Sequence, residues 1–273
     1  MNNLLSYPEV QSVLLPFVVS LTSGLILKRW GWCWAGIGVL LGYLVATLPL
    51  NGFQFVPLTG TRKVIVLALA AGIFGLVIDP LQLKTRLRFT MFFAIGALAI
   101  AWIIWPVVSR KETLEMSALL AGGLVYCGWL AASLELLRQD SLRVASATVA
   151  LGAGTGLAAT LGATALLGQM GISVAAASGA CLIIVVFSAR NTADTVLTFA
   201  VGLVLGLLGY VAFVFARLPW FALLPLALVP VVARLPLPQR LPRILQAVAT
   251  TAVASLPAIV AVLSVYFSTE QSY

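Results

Sequence analysis

Long apolar segments alternate with short polar links along the whole chain. Most of these segments approach the roughly 20 residues that a helix needs to cross the hydrocarbon core of a bilayer. The pattern predicts an all-α, polytopic integral membrane helix bundle with about ten transmembrane helices in a single membrane domain, 1–273. The apolar segments cover 10–27, 30–50, 64–78, 89–108, 116–137, 144–167, 171–187, 196–216, 220–232 and 244–267.

Two segments are shorter than a usual membrane span. The third segment, 64–78, and the ninth, 220–232, fall below the usual length, and the ninth also contains Pro225 and Pro230. Each is interpreted either as a tilted short span or as a re-entrant segment. The first segment is not interpreted as a cleaved signal peptide, because residues 1–9 contain no Lys or Arg and further spans follow.

The composition indicates that lipid is the solvent for most of the chain. Of the 273 residues, 62% are hydrophobic and 9% are charged, which leaves too few polar side chains to cover a soluble fold. The net charge of +8 is spread over short loops and not gathered into a stripe with interleaved aromatic residues. The lipid bilayer, with its anionic headgroups, is therefore the expected partner, and nucleic acid is not.

The basic residues also predict an orientation, because Lys and Arg that flank short loops stay on the cytoplasmic side. The larger of two groups is placed inside, which puts both termini outside a bacterial-type inner (plasma) membrane. If the ninth segment does not cross, the C-terminus lies inside instead. The larger group is Lys28, Arg29, Lys84, Arg86, Arg88, Arg138, Arg143, Arg190, Arg234, Arg240 and Arg243, and the smaller is Arg62, Lys63, Arg110, Lys111 and Arg217.

Residue types that are missing narrow the chemistry. Histidine is absent, which excludes a His-ligated haem, a His-containing zinc site and a His general base. The three cysteines, Cys33, Cys127 and Cys181, lie inside apolar segments and are interpreted as small buried hydrophobic side chains. No paired-acid motif is present. An enzyme is therefore the least favoured class, and no catalytic residue, metal or cofactor is expected.

Acidic residues near the ends of apolar segments are the first candidates for function, because a charge at the centre of a membrane helix costs about 3 kcal/mol. Glu135 lies near the inner end of the fifth segment, and Asp79 ends the third. Each is interpreted either as part of a structural ion pair or as a proton-coupling or cation-binding carboxylate. Glu135 is the stronger candidate of the two.

The link before the eighth segment supplies two more candidates, Arg190 and Asp194. Asn191 and Asp194 have the spacing of a helix-capping pair, whose short acceptors satisfy free N–H groups of the next helix. In the functional alternative, Arg190 and the start of that helix together hold an anionic group at the cytoplasmic mouth. The sequence leaves both alternatives open.

The sixth segment is rich in glycine and threonine, among them Thr155 and Thr160. Small residues let helix backbones approach closely, so this helix is expected to lie buried among its neighbours. The functional alternative is a partly unwound helix whose carbonyl and hydroxyl groups line a substrate path, which makes Thr155 and Thr160 candidate site residues.

A short repeat suggests two related halves, 1–140 and 141–273. Residues 106–110 read PVVSR at the end of the fourth segment, and residues 230–234 read PVVAR at the end of the ninth. Because each half would contain five spans, the second half would enter the membrane in the opposite sense. This is the pattern of an inverted repeat, although so short a match is also compatible with coincidence.

Two functional classes fit these features. The first is a small integral membrane carrier, either a secondary transporter or a flippase-like permease, for a small or amphipathic solute. The second is a non-catalytic structural or accessory subunit of a larger membrane complex, which the scarcity of intramembrane polar groups favours. Other membrane subunits or a homodimer are the corresponding partners. A carrier is expected to have a hydrated pocket at the midplane, reached from one side and lined by parts of the sixth helix and its first-half counterpart, the first, whereas an accessory subunit should present an apolar face and no internal pocket.

Overall fold

A computed structural model describes residues 7, 9–30, 34–51, 58–81, 83–188, 193–236 and 242–270, and these ranges contain helices and no strands. Four short 3-10 turns lie between the α-helices of these ranges, at Lys28–Trp30, Asp79–Leu81, Leu134–Leu137 and Trp220–Ala222. The helices are α1 (Val10–Leu27), α2 (Trp34–Asn51), α3 (Gly60–Ile78), α4 (Thr85–Val108), α5 (Thr113–Ser133), α6 (Ser141–Gly162), α7 (Ala165–Val186), α8 (Val196–Ala216), α9 (Leu223–Val232) and α10 (Arg243–Glu270).

Eight of the helices in the described ranges are long and apolar enough to cross a membrane, as a helical membrane bundle requires. The third belongs to these eight, because its helix starts before the apolar segment and the following turn extends it over Gly60–Leu81. The ninth remains shorter, at Trp220–Val232. The second forms an 18-residue helix, and the part of it found by length and composition within the described residues is Ala35–Leu50.

The boundary between the sixth and seventh segments differs from the prediction. The sequence places the link after residue 167, but α6 ends at Gly162 and α7 begins at Ala165. The Thr164 hydroxyl accepts a hydrogen bond from the Leu167 amide and so caps the start of α7. The predicted boundary was wrong because an apolar run does not show where a short turn interrupts it, and here a single capping threonine marks that turn.

The helices alternate in direction, so their ends gather at two opposite ends of the bundle. One end holds the starts of α2, α4, α6, α8 and α10; there the Gly36 amide meets Asp194, and Arg143 meets the Arg234 carbonyl. At the other end, Lys63 Nζ donates to the carbonyl of Trp102. We call the first the basic end, because it carries the described members of the larger basic group: Lys28, Arg29, Lys84, Arg86, Arg88, Arg138, Arg143, Arg234 and Arg243.

The most enclosed helix is α8, followed by α6, whereas α1 and α10 lie at the periphery. The burial of α6 confirms the prediction of close packing. A β-carbon added to Gly156 would lie 2.6 Å from the Ile172 backbone nitrogen, and one added to Gly171 would lie 2.6 Å from the Gly156 α-carbon. Glycine is thus required where α6 and α7 touch. The two described cysteines, Cys127 and Cys181, are buried and unpaired by disulfide, as predicted, and Cys33 lies outside the described residues.

Candidate functional site

The three acidic candidates converge at the basic end although they are far apart in sequence. Asp79 lies in the turn after α3, Glu135 lies in the turn after α5, and Asp194 directly precedes α8. The convergence follows from the alternating helix directions, which bring the ends of α3 and α5 to the same level as the start of α8. Two arginines, Arg88 of α4 and Arg138 after α5, complete the site.

Arg88 and Glu135 form its inner part, with side chains only 3% and 2% exposed. Arg88 Nη1 donates to Glu135 Oε1 at 3.0 Å, and the Thr198 hydroxyl donates to Glu135 Oε2 at 2.6 Å. The second amino group of Arg88, Nη2, donates to the carbonyls of Ile78 and Asp79 at 3.3 and 3.2 Å. Arg88 therefore ties α4 to the end of α3 and to the end of α5.

Arg138 and Asp79 form the outer part and are more exposed, at 28% and 13%. Arg138 Nη2 lies 2.6 Å from Asp79 Oδ1, and Arg138 Nη1 lies 3.4 Å from Glu135 Oε1. The Thr195 amide and hydroxyl both donate to Asp79 Oδ1, at 2.9 and 2.5 Å. Asp79 is thus anchored to the start of α8 as well as to Arg138.

These contacts close into a ring, because the Thr195 hydroxyl also accepts from Arg88 Nη1 at 3.2 Å. We call it the charge ring. It joins helices α3, α4, α5 and α8 at one level, and its two carboxylates balance its two guanidinium groups. Neutral pairing of this kind is what allows charges to be buried at all, since removing one partner leaves the other uncompensated. The members of the charge ring are Asp79, Arg88, Glu135, Arg138 and Thr195.

A polar pocket of about 380 Å³ opens beside the charge ring. Arg88, Glu135 and Arg138 contribute to its wall, so the inner ion pair borders a space and is not enclosed by apolar packing alone. Arg88 Nε donates to no acceptor among the described residues, although the side chain is buried. The other lining residues are Leu83, Thr85, Leu136, Gln139 and Ala193.

Asp194 lies next to the charge ring and joins two helix starts. Its Oδ1 accepts from the Leu197 amide at 2.7 Å, and its Oδ2 accepts from the Gly36 amide at 3.0 Å. The first bond is the helix cap that the sequence predicts, and the second links α8 to α2. Both helix starts present positive potential to the carboxylate, which favours its ionised form.

Shortening the Asp194 side chain is expected to separate its two roles. A serine at this position can still cap α8 but does not reach Gly36, so we expect Asp194→Ser to lower the free energy of unfolding at neutral pH by about 1 kcal/mol. Asp194→Ala orphans both amides and is expected to cost about 2 kcal/mol. Thermal unfolding of the purified protein in detergent measures both losses, and equal losses in the two variants would contradict a separate cap.

The wild type and Asp194→Ser together also test whether stability depends on pH. Burial raises the pKa of Asp194 to about 6 from its ordinary value of 3.8, and the two amide hydrogen bonds oppose this rise. The folded chain therefore binds this proton more tightly than the unfolded chain, so the resulting stability is complete below 3.8 and is lost as the pH rises through about 6. The advantage of the wild type over Asp194→Ser should shrink across this window. An advantage that is independent of pH would exclude the shift.

The remaining candidates lie elsewhere. Arg190 and its neighbour Asn191 lie outside the described residues. Thr155 and Thr160 belong to α6, where they contact neither Asp79 nor Glu135: the Thr160 hydroxyl donates to the Gly156 carbonyl of its own helix, and the buried Thr155 hydroxyl bonds to no described group. The structure thus separates the threonine candidates from the acidic candidates.

Sequence reasoning missed four residues of the site: Arg88, Arg138, Thr195 and Thr198. The sequence analysis treats Arg88 and Arg138 only as basic residues of loops that set the orientation. In the structure, Arg88 is the fourth residue of α4 and shares a face with the buried Phe92 and Gly96. No spacing in the sequence marks that face, because α4 is apolar on every side after Arg88. Thr195 and Thr198 are three residues apart and share a helix face, as residues at that spacing do.

The chemistry open to this site is the exchange of protons and of ion-pair partners. Glu135 can take up a proton, and the two guanidinium groups can hold an oxyanion, because Arg matches carboxylate and phosphate oxygens in geometry and charge. Within the described residues, no group of three His, Cys, Asp or Glu side chains is placed to hold a metal ion. The carboxylates at this end instead face guanidinium, amide and hydroxyl groups.

Comparison with known proteins adds no assignment. No protein-family model matches the chain, and no curated protein matches it in sequence. The function is therefore inferred from the geometry of the charge ring and its pocket.

Proposed function

We propose that this chain is a small integral membrane carrier, a secondary transporter or flippase-like permease, for a small or amphipathic solute. The observation that carries the proposal is the fully buried Arg88–Glu135 pair beside a polar pocket at the ends of four helices. A buried ion pair contributes little net stability compared with a well-packed apolar pair, so its presence favours a functional role. Ionisable groups inside membrane bundles typically mark solute and proton paths.

In this proposal the charge ring is the coupling element. It links α3, α4, α5 and α8 through side chains that belong to different helices, so neutralising Glu135 weakens contacts between helices at the basic end. Arg88 and Arg138 then lose a shared anionic partner. A carrier needs such a reversible connection, because its two ends must open in turn around the bound solute.

The short repeat supports the arrangement into inverted halves, 1–140 and 141–273. In both copies the helix ends in the same way: the Ser109 and Ala233 amides donate to Trp105 and Val229, and the Arg110 and Arg234 amides donate to Val107 and Val231. The two copies lie at opposite ends of the bundle. Two pairs of matched helices, α2 with α7 and α3 with α8, also pack together. The packing of the two halves differs elsewhere. The first helix of the second half, α6, packs on α10, the last helix of that half, whereas its counterpart α1 packs on α2 and α7.

The orientation belongs to the same proposal. The basic end faces the cytoplasm of a bacterial-type inner membrane, and both termini lie outside. The pocket beside the charge ring then opens toward the cytoplasm, where a solute and a proton can reach Glu135 together.

Transport in reconstituted vesicles tests the carrier. The solutes are radiolabelled acetate, inorganic phosphate, alanine, choline and glucose, together with a fluorescent short-chain phospholipid, each with an imposed proton gradient. We expect gradient-driven accumulation of at least one of these probes, which Glu135→Gln lowers by about tenfold, because the glutamine cannot release a proton.

Glu115→Gln is the matched control. Glu115 lies on α5, the same helix that leads to Glu135, but it is exposed at the opposite end and pairs with Lys111 at 3.1 Å. Accumulation in Glu115→Gln should stay within about twofold of the wild type. Unchanged accumulation and unchanged pH dependence in Glu135→Gln would remove Glu135 from the coupling mechanism, and a lack of transport for every probe would contradict the carrier for these solute classes.

A second candidate function is an accessory subunit of a larger membrane complex. It is favoured by the peripheral helix α10, which with α7 forms an apolar groove of about 460 Å³ that includes Ile183, Val186, Ile244 and Val248. A helix of a partner subunit could occupy this groove. Gentle extraction followed by intact mass measurement decides between the candidates: stoichiometric foreign subunits support the accessory role, and the chain alone or its homodimer supports the carrier.

A further inference from the structure

Glu135 occupies the position that an external anion would take between two guanidinium groups. Its Oε1 lies 3.0 Å from Arg88 Nη1 and 3.4 Å from Arg138 Nη1, and all three side chains border the 380 Å³ pocket. Asp79 differs, because it is not among the lining residues of that pocket and is held by the backbone amide and the hydroxyl of Thr195. Glu135, whose other oxygen accepts from the Thr198 hydroxyl, is thus the carboxylate of the charge ring that borders the pocket, and Asp79 does not border it.

Arg88 has donor capacity left for a ligand. Its Nη1 and Nη2 groups donate to Glu135, Thr195 and two backbone carbonyls, but Nε donates to no acceptor in the described part of the chain, and the residue is only 2% exposed. A buried, charged donor without an acceptor is costly unless an acceptor arrives. A pocket of this volume has room for a small oxyanion and its first carbon atoms.

We propose that this pocket binds a monovalent oxyanion, a carboxylate or a phosphate group, on Arg88 and Arg138 in exchange for the negative charge of Glu135. The inference rests on the proposed carrier function and names its substrate class. The phosphate group belongs either to a free anion or to a lipid headgroup, and both present the same oxygens to the two guanidinium groups.

The exchange balances in charge. Glu135 takes up one proton and becomes neutral, the anion brings one negative charge, and both arginines stay protonated. The net charge of the charge ring is the same before and after, so one proton enters with each anion and no charge is moved. Charge balance lowers the cost of binding at the end of a membrane bundle, because an anion without a compensating proton would bring an uncompensated charge out of water.

Other charged groups near Glu135 set the background of this exchange. Arg88 on α4 and Arg138 after α5 contact Glu135 directly, and Asp79 after α3 pairs with Arg138. The Thr198 hydroxyl that donates to Glu135 also lies at hydrogen-bond distance from the Asp194 carbonyl, and Arg234 after α9 donates to the Ser133 carbonyl, two residues from Glu135.

Calorimetric titration of the purified protein in nanodiscs tests the proposal. The probes are benzoate and inorganic phosphate in discs of phosphatidylcholine, and the lipid arm compares discs with and without phosphatidylglycerol. We expect the affinity for benzoate to fall about tenfold for each pH unit above the point at which Glu135 ionises, with uptake of about one proton for each anion bound. Binding of inorganic phosphate in phosphatidylcholine discs identifies a free anion as the ligand. Stabilisation of the protein by phosphatidylglycerol, with no binding of the free anions, identifies a lipid headgroup.

Three variants and one matched control sharpen the test. Glu135→Gln should bind benzoate without proton uptake and without the pH slope, because its side chain is already neutral. Arg88→Gln and Arg138→Gln should each bind benzoate at least about tenfold more weakly. Arg138→Gln keeps the proposal testable if Arg88→Gln fails to fold. Arg110→Gln is the matched control, since Arg110 follows α4 at the opposite end of the bundle and its affinity should equal that of the wild type.

The proposal is overturned if neither the probes nor phosphatidylglycerol bind to the wild type or to Glu135→Gln, or if Glu135→Gln keeps the pH slope of the wild type. This outcome is separable from failure of the carrier. Gradient-driven transport without anion binding leaves the carrier standing with another substrate class, whereas anion binding without transport leaves the site standing in a chain that does not carry solutes.

Discussion

Removing either member of the Arg88–Glu135 pair alone is expected to cost about 3–5 kcal/mol in the free energy of unfolding, whereas removing both should cost much less. In Glu135→Leu the guanidinium group of Arg88 stays buried without its carboxylate, and in Arg88→Met the carboxylate loses its closest cation. The double variant places two apolar side chains where two charges were and leaves Arg138 paired with Asp79. Unfolding of the four proteins in detergent gives the coupling energy directly.

The exposed pair Lys111 and Glu115 is the control for this cycle. Its side chains are 47% and 58% exposed, and its members lie four residues apart at the opposite end of the bundle. The corresponding cycle with Lys111→Met and Glu115→Leu should give a coupling energy below about 1 kcal/mol, because water screens the pair. Additive losses at Arg88 and Glu135 would mean that the two side chains do not depend on each other, and the charge ring would lose its inner contact.

Gly36→Ala is expected to be the most damaging of the glycine-to-alanine changes at the basic end. A β-carbon at this position would overlap the Leu197 amide nitrogen and the Asp194 carboxylate, so α2 and α8 must separate or the bridging hydrogen bond must break. Overpacking of a tight contact costs about 1–3 kcal/mol, and the lost hydrogen bond adds about 1 kcal/mol. The melting temperature of the purified protein in detergent should therefore fall.

Gly179→Ala is the matched control, because Gly179 also lies inside a helix but no atom lies within 4 Å of its added β-carbon. There the alanine fills open space and reduces the freedom of the unfolded chain, so a gain of up to about 1 kcal/mol is expected. A comparable loss in both variants would show that glycine flexibility, and not the contact with Asp194, sets the requirement at position 36.

Part of the candidate site was accessible from the sequence. Glu135, Asp79 and Asp194 were identified because acids beside apolar segments are rare and costly, and the helix cap at Asp194 follows from local spacing alone. Their convergence was not accessible, since Asp79 and Thr195 are 116 positions apart and Arg88 and Glu135 are 47. Arg88 was missed because it lies at the edge of an apolar segment, where an arginine in a loop and an arginine buried one turn inside the helix look alike.

The fold shows the same division. Segment lengths predicted a bundle of about ten transmembrane helices, and the described ranges are all-helical, with eight helices long and apolar enough to cross a membrane. The turn between α6 and α7 was misplaced, because Gly162, Ala163 and Thr164 are small enough to continue an apolar pattern.

The sequence by itself determined that the chain is a bundle of apolar helices with lipid as its solvent, because segment length and overall hydrophobicity are local properties that no tertiary contact changes. Only the tertiary structure decided which polar groups meet. Helices that are apolar on every side carry no pattern that shows which face is buried, so the rotation that brings Arg88 to Glu135, and Gly36 to Asp194, is set by packing between helices.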